Sequence, residues 1–170
     1  MNIQEQSALR EVLGTVNIPK MLTVRQRFKR DGISDVSSCL RGKLMREDLM
    51  RRIQPGMKVV LTGSSRQVSN MPVVLRELAA FVRTPWIIPA MGSHGGATAE
   101  GQMAILEGYG ITEAACGCRI FSSMETVQVG QMDNGDEVCV DRFAHDANAV
   151  IVVGRIKPHT AFRGSYESGL

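Results

Sequence analysis

Hydrophobic and polar positions along this chain change period several times, and each change predicts an element. Ser7 to Val16 carries Leu9, Val12, Leu13 and Val16 at helical spacing. The next stretch, Met21 to Phe28, alternates: Leu22, Val24 and Phe28 stand against Thr23, Arg25 and Arg27. That period predicts a strand wet on one face, at the edge of a sheet. Residues 35 to 53, rich in Arg and Met, predict one or two helices interrupted near Gly42.

From there the rhythm becomes strand, loop, helix. Met57 to Thr62 is apolar and β-branched, bounded by Pro55-Gly56 and by Gly63. Ser69 or Asn70 can cap a helix with Pro72 in its first turn, and Val74, Leu78, Phe81 and Val82 form its core-facing stripe. Trp86 to Met91 is a second apolar strand, followed by Gly92-Ser-His-Gly-Gly96. A helix resumes near Thr98 with Met103, Leu106 and Tyr109 on one face, and Gly108 and Gly110 stop it. Thr112 caps a further short turn. Val127 and Val129, then Asp133-Asn-Gly-Asp136, then Val138 and Val140 predict a hairpin within Thr126 to Arg142. Ala149 to Gly154 is the most hydrophobic run. Continuous apolar strands separated by amphipathic helices predict a parallel sheet covered on both faces. The expected fold is α/β: a three-layer Rossmann-like domain with a mainly parallel sheet and an inserted antiparallel hairpin. No repeat or linker divides residues 1–170, so a single domain is expected.

Composition narrows the function classes. The 170 residues hold 20 Lys+Arg against 17 Asp+Glu, a net charge of +3 with both signs scattered. That balance argues against a nucleic-acid partner. The stretch from Thr84 to Ala99 lacks charged side chains but contains Pro85, Pro89 and three glycines. It is shorter than the ~20 residues of a spanning helix, so no membrane partner is expected. Met1-Asn-Ile-Gln-Glu5 has no apolar signal core, which makes cytoplasmic the expected location. Cys39 and Cys139 stand alone and Cys116 and Cys118 form a C-x-C, a spacing unlike structural zinc knuckles. Reduced thiols and no metal site on this chain are the expectation.

Candidate chemistry gathers after three predicted strands, where ligands bind in open α/β sheets. The first strand delivers Ser64, Ser65 and Arg66; the second delivers Gly92, Ser93, His94, Gly95 and Gly96; the third delivers Lys157, Pro158 and His159. Glycines around His94 permit tight turns and close backbone approach to a ligand. Pro158 stiffens the approach to His159. Two imidazoles facing one pocket can act as complementary acid and base near neutral pH. His145, in Phe-Ala-His-Asp before the last strand, is assigned to structure or solvent. P-loop, G-x-G-x-x-G, G-x-S-x-G and H-E-x-x-H motifs are all absent.

Two segments carry a family resemblance: Met91-Gly-Ser-His-Gly-Gly-Ala-Thr-Ala-Glu-Gly-Gln102 and Gly154-Arg-Ile-Lys-Pro-His-Thr-Ala-Phe-Arg-Gly164. Together they resemble the N-terminal domain of the nickel-pincer lactate racemase family, in its uncharacterised branch, over roughly residues 20 to 170. The resemblance implies a second, C-terminal domain, absent from this chain, with the active site between the two. It implies a nickel-pincer nucleotide in the full-length protein that takes a hydride from the hydroxyl-bearing carbon of a 2-hydroxy acid and returns it to either face. His94 and His159 would move the hydroxyl proton. Arg66, with Ser64 and Ser65, would hold the substrate carboxylate, a task suited to a guanidinium fork. Gly92, Ser93, Gly95, Gly96 and Lys157 would contact the cofactor.

Two departures refine that expectation. Lactate enzymes carry an acidic residue three positions before the arginine, where this chain has Gly63. The family's cofactor-tethering lysine follows the His159 motif by about ten residues or slightly more, and Ser165 to Leu170 contains no lysine. The chain therefore reads as a fragment, inactive alone and without bound cofactor. The expected function is that of the substrate-side domain of a 2-hydroxy-acid racemase or epimerase. The alternative is an anion- or nucleotide-binding domain of a non-racemase homologue, since glycine-rich turns before helices suit phosphates and carboxylates. A third reading is a redox or hydro-lyase enzyme using the same histidines with another cofactor.

Overall fold

Val59, Val60 and Leu61 are almost wholly shielded from water, and they mark the middle of a sheet. The structure, a computed structural model, describes residues 11–14, 20–28, 32–65, 68–158, 161 and 163–165. Two compact units are distinguished, Met1–Gly32 and Ile33–Leu170. In the first, residues 11–13 are helical, and the rest of the helix expected over Ser7 to Val16 falls mostly outside the described residues. The edge strand expected over Met21 to Phe28 is not there: residues 20–28 join no ladder, and Met21, Leu22, Val24 and Phe28 are exposed. Alternation provides two faces, but an extended segment becomes a strand only when its N–H and C=O groups pair with a neighbour.

The second unit begins with two helices, α1 (Val36–Leu44) and α2 (Glu47–Arg52). The Asp35 carboxylate caps α1 by accepting from the Ser38 amide at 2.9 Å. The break falls at Met45 and Arg46, not at Gly42, which lies inside α1. One glycine costs a helix only about 1 kcal/mol, whereas Glu47 and Asp48 suit the N-terminal turn of a new one.

Strand β1 (Val59–Gly63), helix α3 (Met71–Val82) and strand β2 (Trp86–Pro89) follow. Then come a tight turn over His94–Ala97, helices α4 (Ala99–Gly108) and α5 (Glu113–Cys116), and strand β3 (Arg119–Ile120). Antiparallel strands β4 (Thr126–Gln131) and β5 (Glu137–Asp141) form the expected hairpin as a separate sheet, with Gly135 at φ +91° in its turn. Helix α6 (Arg142–His145) and strand β6 (Ala149–Ile151) complete the order.

The main sheet runs β3-β2-β1-β6, and every pairing in it is parallel. This is a Rossmann-like α/β architecture. Successive residues of a strand point to opposite faces, and all five residues of β1 are buried, so both faces of the sheet are covered. Core contacts come from Leu75 and Leu78 of α3, Leu106 of α4, Ile87 of β2 and Ile111. Each such side chain contributes about 1.5–3 kcal/mol by leaving water.

Three sequence expectations are corrected in detail. On α3 the buried residues are Met71, Leu75, Glu77, Leu78 and Ala79, with Val74, Phe81 and Val82 only packed at the margin. On α4 the buried positions are Gln102 and Leu106, while Tyr109 is exposed. The last strand ends at Ile151 rather than Gly154. β6 is an edge, so Val150 and Val152 stay partly in water although the run is strongly apolar.

Candidate functional site at the carboxyl end of the sheet

Chain order starts at β1, moves to β2 and β3 on one side, and returns to β6 on the other. The reversal lies between β1 and β6, and in doubly wound sheets the crevice outside the carboxyl ends at that reversal is where ligands bind. Neighbouring strands are spaced about 4.8 Å apart. The exits of β2 and β6 flank the exit of β1 and are therefore about 10 Å from each other.

Each exit is tied down by a hydrogen bond. Ala90 donates its amide to the Gly63 carbonyl at 2.8 Å, holding the end of β2 against β1. Thr62 is buried, and its Oγ1 accepts from the Val153 amide at 2.8 Å. Beyond the last ladder pair, this bond keeps the chain leading to Lys157 beside β1. At the other end of the sheet, Asn148 and Lys58 pair reciprocally: the Lys58 amide donates to Asn148 Oδ1 at 2.8 Å and the Asn148 amide to the Lys58 carbonyl at 2.8 Å.

The turn after β2 is built on left-handed backbone. Gly92, Gly95 and Gly96 have φ of +59°, +66° and +70°, and Ala97 follows at +55°. A side chain is strained in that region, which is why glycine occupies it. Gly95 has a second reason: a Cβ there would overlap the backbone of Gly101, and a Cβ on Gly101 would overlap the Gly95 carbonyl oxygen. The two glycines let the turn lie directly on the first turn of α4. Thr98 fastens the contact, since its Oγ1 donates to the Gly95 carbonyl at 3.1 Å and accepts from the Gly101 amide at 3.0 Å. On the near side of His94, the Gln102 side-chain Nε2 donates to the Gly92 carbonyl at 2.7 Å.

Among the expected site residues, Ser93, His94, Gly92 and Gly96 are exposed at the carboxyl end of β2, and Gly95 is half-buried against α4. Among the described residues, the two chain neighbours aside, nothing lies within 4 Å of where a Cβ on Gly92 or Gly96 would stand, so that backbone is open to a ligand. Ser64 and Ser65 are half-buried after β1, and Ser64 lines a cleft of about 270 Å³ with Asn70, Pro72 and Tyr109. Lys157 is half-buried beyond β6. Arg66 and His159 lie outside the described residues. His145 precedes β6 and so belongs to the amino end of the sheet, where its Nδ1 is 2.9 Å from Asp146 Oδ1. A more apolar cleft of about 630 Å³ between α1 and α3 shares no residue with these loops. The contributions of Gln102, Thr62 and Gly101 are not apparent from motif reading. Their signal is a polar or glycine residue at a position whose helical or strand period calls for an apolar one.

The sequence model of the lactate racemase N-terminal domain matches residues 13–169. The chain belongs to that family. No curated protein and no solved structure matches it. In this lactate racemase N-terminal domain, the matched span includes all three strand exits and the whole Gly92–Gln102 segment. Gly63 meets the flank of α4, for a Cβ on it would come within 2.8 Å of Leu106 Cδ2. Any larger residue at that position would need Leu106 to move.

The described residues at these loops suit an anionic group better than a metal ion. Among the described residues no three of His, Cys, Asp and Glu gather into a metal site. All four cysteines are free thiols, and burial pushes the Cys118 thiol up to about 11. Open glycine backbone, the Ser93 hydroxyl and the Lys157 ammonium instead match a phosphate or carboxylate. Among the described residues no helix is long and apolar enough to cross a membrane.

Proposed function

We propose that this chain is the substrate-side domain of a 2-hydroxy-acid racemase or epimerase. The observation that carries the reading is His94, exposed on an anchored glycine turn at the carboxyl end of β2, in a chain of the lactate racemase N-terminal domain family. A nickel-pincer nucleotide, when bound, supplies hydride acceptance at the substrate's hydroxyl-bearing carbon.

What this chain's residues contribute is binding and proton movement. His94 receives the hydroxyl proton on one side and His159 serves the other, imidazole being able to exchange protons near neutrality. Arg66 pairs with the substrate carboxylate, aided by the hydroxyls of Ser64 and Ser65. The open backbone at Gly92 and Gly96, the fold of the turn at Gly95, and the side chains of Ser93 and Lys157 hold the nucleotide's anionic end. The second domain of the family closes the site, and the assembled protein works in the cytoplasm.

The test is to supply single enantiomers of several 2-hydroxy acids to the protein carrying its second domain and the nickel-pincer nucleotide. Conversion of each pure enantiomer to a mixture, with His94→Asn lowering the rate by about 10²–10⁴, is expected. Binding of a carboxylate or phosphate without interconversion would overturn the racemase reading in favour of an anion-binding domain.

A further inference from the structure

Gln102 is one of three buried polar or charged side chains among the described residues, at 5% exposure, and each of the three has a defined partner. Glu77 pairs with Arg41, Thr62 holds the chain after β6, and Gln102 holds Gly92. Gln102 lies one helical turn before Leu106, which is fully buried, so it occupies the core face of α4, where an apolar residue would be the default. A buried amide at such a position costs stability unless it is hydrogen-bonded. The Gly92 carbonyl, by contrast, belongs to an exposed residue that water could satisfy. The bond is therefore more than the backbone needs for its own satisfaction; its consequence is to fix where the backbone runs.

That matters because the turn has little rigidity of its own. Gly92, Gly95 and Gly96 are all left-handed glycines, and glycine has the most conformational freedom to lose. Two long bonds cross the turn, His94 amide to Met91 carbonyl at 3.3 Å and Ala97 amide to Ser93 carbonyl at 3.2 Å. Thr98 and the Gly95–Gly101 contact fix the chain after His94, and Gln102 fixes it before.

We infer that Gln102 is a positioning residue for His94: its buried amide, bonded to the Gly92 carbonyl, clamps the near side of the turn and sets the direction of the imidazole at the strand exit. This rests on the proposed role of His94. Without the clamp the turn keeps its far anchor but swings on Gly92, and misplacing a reacting group by ~1 Å costs a rate of about 10²-fold.

Gln102→Leu tests this, because Leu keeps the core face apolar and removes only the donor. In the 170-residue chain, amide hydrogen exchange and the His94 ring resonance, assigned with His94→Asn, are compared with the parent. The expected result is exchange about tenfold faster or more at Ser93 to Ala97 and a moved or broadened His94 signal, with exchange in β1 and α3 unchanged. In the loaded two-domain enzyme the same variant should lower kcat by about ten- to a hundredfold and leave KM within about twofold. An unchanged His94 signal and unchanged loop exchange would overturn the inference. So would faster exchange spread equally through β1 and α3, the mark of a merely structural bond. If Gln102→Leu proves too unstable, Gln102→Met serves for the same two readouts. An active His94→Asn enzyme would instead remove the proposed function, while the hydrogen-exchange result would still report on the clamp.

Discussion

Gly101→Ala reverses the usual effect of filling a helical glycine. In an ordinary helix the change stabilises by about 0.5–1 kcal/mol. Here the new Cβ would run into the Gly95 carbonyl oxygen, a backbone atom that cannot rotate away, and would stand 2.8 Å from Thr98 Oγ1. Overpacking of this kind costs about 1–3 kcal/mol. Displacing Thr98 also weakens the cap it gives Gly101, worth about 1 kcal/mol. After the propensity gain is subtracted, the net loss is about 2 kcal/mol. For a chain of this size that lowers Tm by about 4–8 °C. Gly108→Ala provides the control, since Gly108 lies in the same helix with nothing within 4 Å of its Cβ position; it should gain up to about 1 kcal/mol. Urea titrations of both variants and the parent, read at equal m-values, measure the difference. Equal stabilisation of the two variants would refute the glycine-on-glycine contact, and with it the anchoring of the His94 turn.

Other consequences follow from the same structure. The Arg41 guanidinium, bonded to both Glu77 oxygens at 2.6 and 2.8 Å, holds the Glu77 carboxyl down to about 2 from 4.5. A carboxylate lowered by folding stabilises above its unfolded value and loses that contribution as pH falls. Stability should therefore decline between pH 4.5 and about 2, and Glu77→Gln should flatten that part of the curve; an unchanged acid limb would count against the pair. Thiol titration should find four free cysteines, exposed Cys139 reacting first and Cys116 and Cys118 last because burial raises both; fewer than four in denatured, non-reduced protein would contradict this. The 170-residue chain, purified without a metal-binding tag, should carry less than stoichiometric nickel by elemental analysis, and one nickel per chain would show ligands where none are expected.

The sheet was legible in the sequence because parallel strands are buried on both faces and so read as short continuous apolar runs. Val59 to Leu61 and Trp86 to Ile88 are of this kind. The Asn134-Gly135 turn, the helix start near Thr98 and the Thr112 cap were legible for a local reason: each is set by chemistry within four residues. What depended on a distant partner was not. Met21 to Phe28 has the alternation of a strand but no ladder, and β3, at two residues, is too short to carry a period. Its existence depends on Trp86 and Ile87 of β2 alongside. The loops bearing Ser64, His94 and Lys157 could be placed at one end of the sheet from strand direction alone. The anchors of the His94 turn could not, because the partner each one meets, Gly95 for Gly101 and the Gly92 carbonyl for Gln102, is set only by how the chain folds.

The proposed function requires that the exits of β1, β2 and β6 make one site. An experimental structure of the two-domain protein with a 2-hydroxy acid or its keto form bound measures this directly. His94 and His159 are expected on opposite sides of the ligand, with Arg66 on its carboxylate and all three side chains within about 10 Å of one another, two strand spacings. A ligand bound elsewhere, or His159 turned into the core or toward the far edge of the sheet, would contradict the two-histidine site.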